Sequence, residues 1–126
     1  MKLRIRDNSV RLRLSQSEVA HLNECGAVSA QTSFPGQSRL AYTVQTGPDR
    51  AAARAVFAND AIVVTFPGAD VARWADSQEV TLRAEVDTDL DILVVLVEKD
   101  FACLSPRAEE DESDMFPHPE AGDRTC

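Results

Sequence analysis

The residues best suited to chemistry in this chain of 126 are five bases within its first thirteen positions: Lys2, Arg4, Arg6, Arg11 and Arg13. They alternate with Leu3, Ile5, Val10, Leu12 and Leu14, so two short strands would set every base on one solvated face. Guanidinium groups on a rigid strand pair suit an anion, either the phosphates of DNA or the carboxylates of a protein. Two plainer roles compete, a solvated outer face or a face that docks the chain's own acidic end.

A second set gathers late in the chain, where Cys103, Asp111, Asp114, His118 and Cys126 offer thiolate, carboxylate and imidazole. No Cys-x-x-Cys or His-x-x-x-His pair preorganises two ligands, so no metal and no cofactor is expected. Phe101, Cys103, Asp111, Asp114, Phe116 and His118 are instead the residues through which a tail would make its contacts. Cys103 follows Lys99, which would favour a thiolate, but Glu98 and Asp100 oppose it. Asp87, Asp89, Asp91 and Glu98 match four calcium-loop positions. Ile92 stands where that loop requires glycine, and Ile92 to Val97 is a buried-strand run that cannot wrap an ion. There is no Gly-x-Ser-x-Gly elbow and no glycine loop for phosphate, so the chain does not read as an enzyme. His21 reads as a surface position and Trp74 as a core anchor.

Local signals dictate the elements that would carry these groups. Asp7-Asn8 joins the two basic strands, and both residue types tolerate the positive φ of a tight turn. Ser15-Gln16-Ser17-Glu18 fits a capping box, and Gly26 is placed to end the helix in a left-handed conformation. A hairpin through Val28 to Val44 follows, turning at Pro35-Gly36-Gln37. The same order then recurs: a hairpin through Asn59-Asp60, a helix opened by Pro67-Gly68-Ala69-Asp70, and a hairpin through Asp87-Thr88-Asp89. An offset of 52 residues sets Val10 over Ile62, Leu22 over Trp74 and, without a gap, Tyr42 over Val94.

A ββαββ unit with a polar hairpin turn and a short helix entered through Ser or Pro resembles the AbrB/MazE swapped-hairpin family. The residues that carry the resemblance are Asp7 to Leu14, followed by a helix, and Ile62-Val63-Val64-Thr65-Phe66-Pro67. That family builds its barrel from two copies, so the resemblance implies a pseudo-dimer within residues 2–98 and a DNA-binding role for the basic hairpin. Around Asn59-Asp60 the bases are lost apart from Arg50 and Arg54, which departs from a symmetric palindrome reader. The whole chain, with its basic hairpin, Glu98-Lys99-Asp100-Phe101-Ala102-Cys103 and Phe116-Pro117-His118-Pro119, also resembles a small bacterial family of unestablished activity.

Charge and composition bound the rest. The formal charge of −8 opposes non-specific coating of nucleic acid, yet residues 1–13 carry +4 and residues 98–126 carry −6. No apolar run approaches the roughly 18 residues of a membrane span, and the first strand is unlike a signal peptide, so the cytoplasm is expected. Three widely spaced cysteines, Cys25, Cys103 and Cys126, suggest reduced thiols.

The expected architecture is α+β and β-rich, a tandem ββαββ arrangement (about 2–46 and 54–98) forming a barrel or a sandwich with two short helices. Residues 1–100 form the domain and 101–126 an acidic flexible tail. The expected function is a non-enzymatic binding or regulatory module for a protein partner through Lys2, Arg4, Arg6, Arg11 and Arg13. A DNA-binding regulator is the alternative, and a small metal- or thiol-dependent enzyme using Cys103 and His118 comes third. Oligomeric state is not readable.

Overall fold

The computed structural model describes residues 1–102 and 113–117. Strands β1 (Lys2–Arg6) and β2 (Ser9–Leu14) pair antiparallel across Asp7-Asn8, with Asp7 at φ 48°. Helix α1 (Gln16–Cys25) begins at Ser15, where both bonds of the capping box form. It ends at Gly26, whose φ of 88° lets its N–H reach the Leu22 carbonyl at 2.9 Å. Strands β3 (Ala27–Phe34) and β4 (Ser38–Gly47) form the second hairpin.

The order then repeats with β5 (Arg54–Ala58), β6 (Ala61–Pro67), α2 (Gly68–Ala75), β7 (Thr81–Asp87) and β8 (Ile92–Lys99). Asn59 and Asp60 are both left-handed, as a two-residue hairpin of the I′ type requires.

Each half gives one hairpin to each sheet. The strand orders are β1-β2-β8-β7 and β3-β4-β6-β5, with parallel central pairs β2/β8 and β4/β6. Exchanging β1–β4 for β5–β8 turns one order into the other. Each helix carries the chain from the first sheet its half enters to the second, which separates the two hairpins of that half. Of the two closures left open by sequence, the molecule has two separate four-stranded sheets and no closed barrel.

The offset of 52 holds only as far as the helices. Val10 pairs with Val95 as Ile62 pairs with Tyr42, so Tyr42 corresponds to Val95 and not to Val94. The segment between α2 and β7 is longer than the single Gly26 between α1 and β3, and the later turn is one residue tighter. One residue of slip changes the face: Val95 is buried, while Val94 lies on the opposite face.

Alternate residues fill the core, namely Leu12 and Leu14 of β2, Val44 of β4, Val64 and Phe66 of β6, Leu82 of β7 and Val97 of β8. The helices close one end with Val19, Leu22, Val71 and Trp74. Each fully buried aliphatic side chain contributes about 1.5–3 kcal/mol. His21 is exposed, and Trp74 is fully buried with its Nε1–H on the Val80 carbonyl at 2.9 Å.

Both helices also receive a carboxylate from outside at corresponding amides. Asp49 accepts the Ala69 N–H at 2.7 Å, and Asp114 accepts the Ser17 N–H at 3.2 Å. Pro67, at the start of α2, has no side-chain acceptor, so Asp49 supplies what serine supplies to α1. Asp49→Ala is expected to cost about 1 kcal/mol. It should appear as a lower urea midpoint at unchanged m value.

Candidate partner-binding face

The five bases share the outer face of the first sheet. Register sets Arg4 directly opposite Arg11 and Lys2 opposite Arg13, with Arg6 beside Ser9. Like charges placed so are mutually repulsive, and carboxylates supplied by the distant β8 and by Asp100 just after it offset this. Glu98 lies 3.2 Å from the Arg11 Nε and 3.5 Å from the Arg13 Nε, and accepts the Thr81 hydroxyl at 3.1 Å. Lys2 meets Asp100 at 3.2 Å.

Arg4 and Arg6 make no ion pair among the described residues. With Ser9 and Arg11 they line a shallow concavity of about 90 Å³. The Ser9 hydroxyl donates to the Arg6 carbonyl at 2.7 Å, which stiffens the turn beneath it. Farther across the same face lie half-buried Val94 and Leu96, then Arg83, Glu85 and Asp87 of β7. The face is therefore basic over β1 and β2 and mixed over β7 and β8. It can hold a small anion with three guanidinium groups and offer aliphatic surface beside it.

Phe101, Asp114 and Phe116, which sequence assigns to the tail, pack on the domain. The amide of Phe116 donates to the Asp100 carbonyl at 2.8 Å, Ala102 donates to Phe116 at 2.7 Å, and the two phenyl rings stand 5.7 Å apart. Asp114 also accepts the Ser17 hydroxyl, while its carbonyl accepts the Gln16 N–H at 2.9 Å. Hydrogen bonds from Ser17 and Ser15 hold the Asp114 carboxyl below its ordinary pKa. Cys103, Asp111 and His118 lie outside the described residues, as does Cys126.

Beneath this strap is a residue that sequence reasoning passed over as a functional group. Lys99 is buried, donates to the Ser77 carbonyl at 2.7 Å, and stands 5.7 Å from the Trp74 ring and 5.6 Å from the Phe116 ring. Burial lowers its pKa, against the pull of Glu79 and Asp76. Its alternation within β8 points inward, a signal masked by the acids around it in sequence.

Glu18 has a double duty. Its carboxylate accepts the Ser15 N–H at 2.9 Å and meets the Met1 ammonium at 2.6 Å. Burial works against its charge, but the Met1 and Ser15 bonds hold its pKa below the ordinary value. Because the folded value is depressed, its contribution is present above the unfolded pKa and fades as pH falls through the folded one. Glu18→Gln is expected to lower stability near neutrality and to flatten the loss of stability on acidification. Denaturation midpoints between pH 7 and pH 3 check this.

Cys25 is an exposed free thiol. Among the described residues no three metal-ligating side chains lie together, and no helix is long and apolar enough to cross a membrane.

Sequence reasoning missed a cleft between the sheets at the end away from the helices. It measures about 360 Å³ and is lined by Ile5, Val10, Leu40, Phe57, Ile62 and Leu93, all placed as strand residues by their alternation. Ile5 is 58% and Phe57 70% exposed. Alternation marks a face, and cannot say whether the facing sheet covers it.

The model of a family of unknown function, DUF7009, matches residues 1–120. The chain belongs to DUF7009. No curated protein and no solved structure matches it. The DUF7009 match takes in both ββαββ halves and the docked residues 113–117 together.

Proposed function

We propose that this DUF7009 protein is a non-enzymatic binding module that holds an acidic segment of a protein partner on the outer face of β1 and β2. The observation that carries the reading is the pair Arg4 and Arg6, without ion-pair partners among the described residues, beside Ser9 and Arg11 in one concavity. A guanidinium group offers several N–H donors in a fixed planar fork that matches a carboxylate. A cytoplasmic setting is part of the same proposal.

DNA is the alternative, favoured by the ββαββ element order and the basic hairpin. Two features favour protein over it. Glu85 and Asp87 lie on β7, about three strand spacings or roughly 14 Å from β1, within the footprint of a duplex laid on the sheet. Val94 and Leu96 between them suit apolar side chains better than phosphates.

The test titrates the full chain with a glutamate-rich peptide carrying two leucines and with a mixed-sequence duplex, at 50 and 200 mM salt. The peptide should bind more tightly than the duplex at both concentrations. Tighter duplex binding that falls by orders of magnitude across this range establishes the DNA reading instead.

A further inference from the structure

The open cleft and its rim form a second surface, distinct from the basic face. At the helix end Trp74 and Leu22 fill the space between the sheets, but at the opposite end the described side chains line the space and leave it open. The unfilled volume of about 360 Å³ would take about a dozen waters at roughly 30 Å³ each, and the apolar walls give them nothing to hydrogen-bond. Val56, 51% exposed, also lines it, and apolar exposure continues outside it at Leu90 of the β7–β8 turn, 98% exposed. Single exposed apolar residues are ordinary, whereas several gathered around one cleft mark an interaction site.

The four hairpin turns all stand at this end, because the cleft residues are the turn-side residues of their strands. The turns and the strand ends beside them carry Asp7, Asp60, Asp87, Asp89 and Asp91 against Arg6 and Arg39, all exposed and none in an ion pair among the described residues. The rim is therefore acidic around an apolar centre. A second copy meeting it mouth to mouth would bring five carboxylates against five. A small apolar ligand would fill the cleft and leave Leu90 in water.

We propose that this end docks a basic amphipathic helix of a protein partner, one row of apolar side chains entering the cleft and flanking lysines or arginines meeting the rim aspartates. A helix with side chains is about 10–12 Å across, close to the roughly 10 Å between packed sheets. It therefore lies across the mouth and inserts side chains only. The cleft itself uses inward residues, and of the outward bases of the proposed function only Arg6 borders its rim.

The test uses the full chain and two synthetic helices of one pattern, leucines at i, i+3, i+4 and i+7, with lysine or glutamate elsewhere. Calorimetry gives affinity, and amide shifts in an isotope-labelled sample give the location. The lysine helix should bind at least tenfold tighter than the glutamate helix and shift Ile5, Phe57 and Ile62. Phe57→Ser, an exposed position, should weaken it about tenfold. Asp60→Asn with Asp89→Asn, which keeps the cleft and the Asp60 turn, should weaken it several-fold. Arg4→Glu with Arg6→Glu should not weaken it, which separates this site from the basic face. Equal binding of both helices, shifts confined to the basic face, or no binding overturns the proposal. Self-association of the chain that Phe57→Ser abolishes overturns it in favour of a second copy.

Discussion

Trp74→Ala is expected to remove about 3–5 kcal/mol of stability and to lower the melting temperature by roughly 10–20 °C. Trp74 is the largest fully buried side chain, set where α2 packs on α1 beside Leu22 and Val71. Its removal leaves a cavity in the core that both sheets and both helices share, with Leu14 of the first sheet and Phe66 of the second among its members. It also strips one of two rings from the buried Lys99 ammonium. Against the 5–15 kcal/mol of an ordinary domain this is a large fraction. Trp74→Phe should cost much less, since the Val80 carbonyl that loses the indole N–H still accepts the Lys99 amide at 3.1 Å. Thermal and urea unfolding of both variants check the pair, and equal losses would place the effect in the hydrogen bond and not in the cavity.

Arg4→Glu with Arg6→Glu is expected to reduce affinity for the glutamate-rich peptide about 100-fold while leaving the melting temperature within about 2 °C. The stability expectation follows from exposure and from the lack of ion pairs at both residues among the described ones. The affinity expectation follows from replacing two attractive charges by two repulsive ones beside Arg11 and Ser9. The glutamine pair, neutral at both positions, should lose about tenfold and show a weaker salt response. These bases also sit on an edge strand, where charge guards against strand addition by another chain. Light scattering with unchanged peptide affinity would assign them that guarding role alone.

The parts of this protein legible in sequence are those whose cause is local. Ser15, Glu18 and Gly26 specify α1 within one stretch of chain, and Asp7-Asn8 and Asn59-Asp60 specify two hairpins. The bases of the candidate face were legible for the same reason, since period-two alternation puts them together without any partner strand. What offsets their repulsion was not, because Glu98 is 85 residues from Arg13 and only the parallel β2/β8 register joins them. Asp114 as an acceptor at the start of α1 was equally hidden, 97 residues from Ser17. The 52-residue offset failed after α2 since a short change in connection length is invisible to alternation, yet it moves a strand's faces.

By itself the sequence determined the kinds of element, their order ββαββ twice over, and which side of the first hairpin is basic. These follow from backbone sterics and side-chain periodicity, which act over a few residues. Only the tertiary structure decided that each half surrenders one hairpin to the opposite sheet and that Glu98 lies between Arg11 and Arg13. It alone decided that Phe116 covers Lys99 and that Ile5 and Phe57 face an open cleft. Those outcomes depend on which strand lies next to which and on how far apart the sheets stand, and both are set by long-range packing.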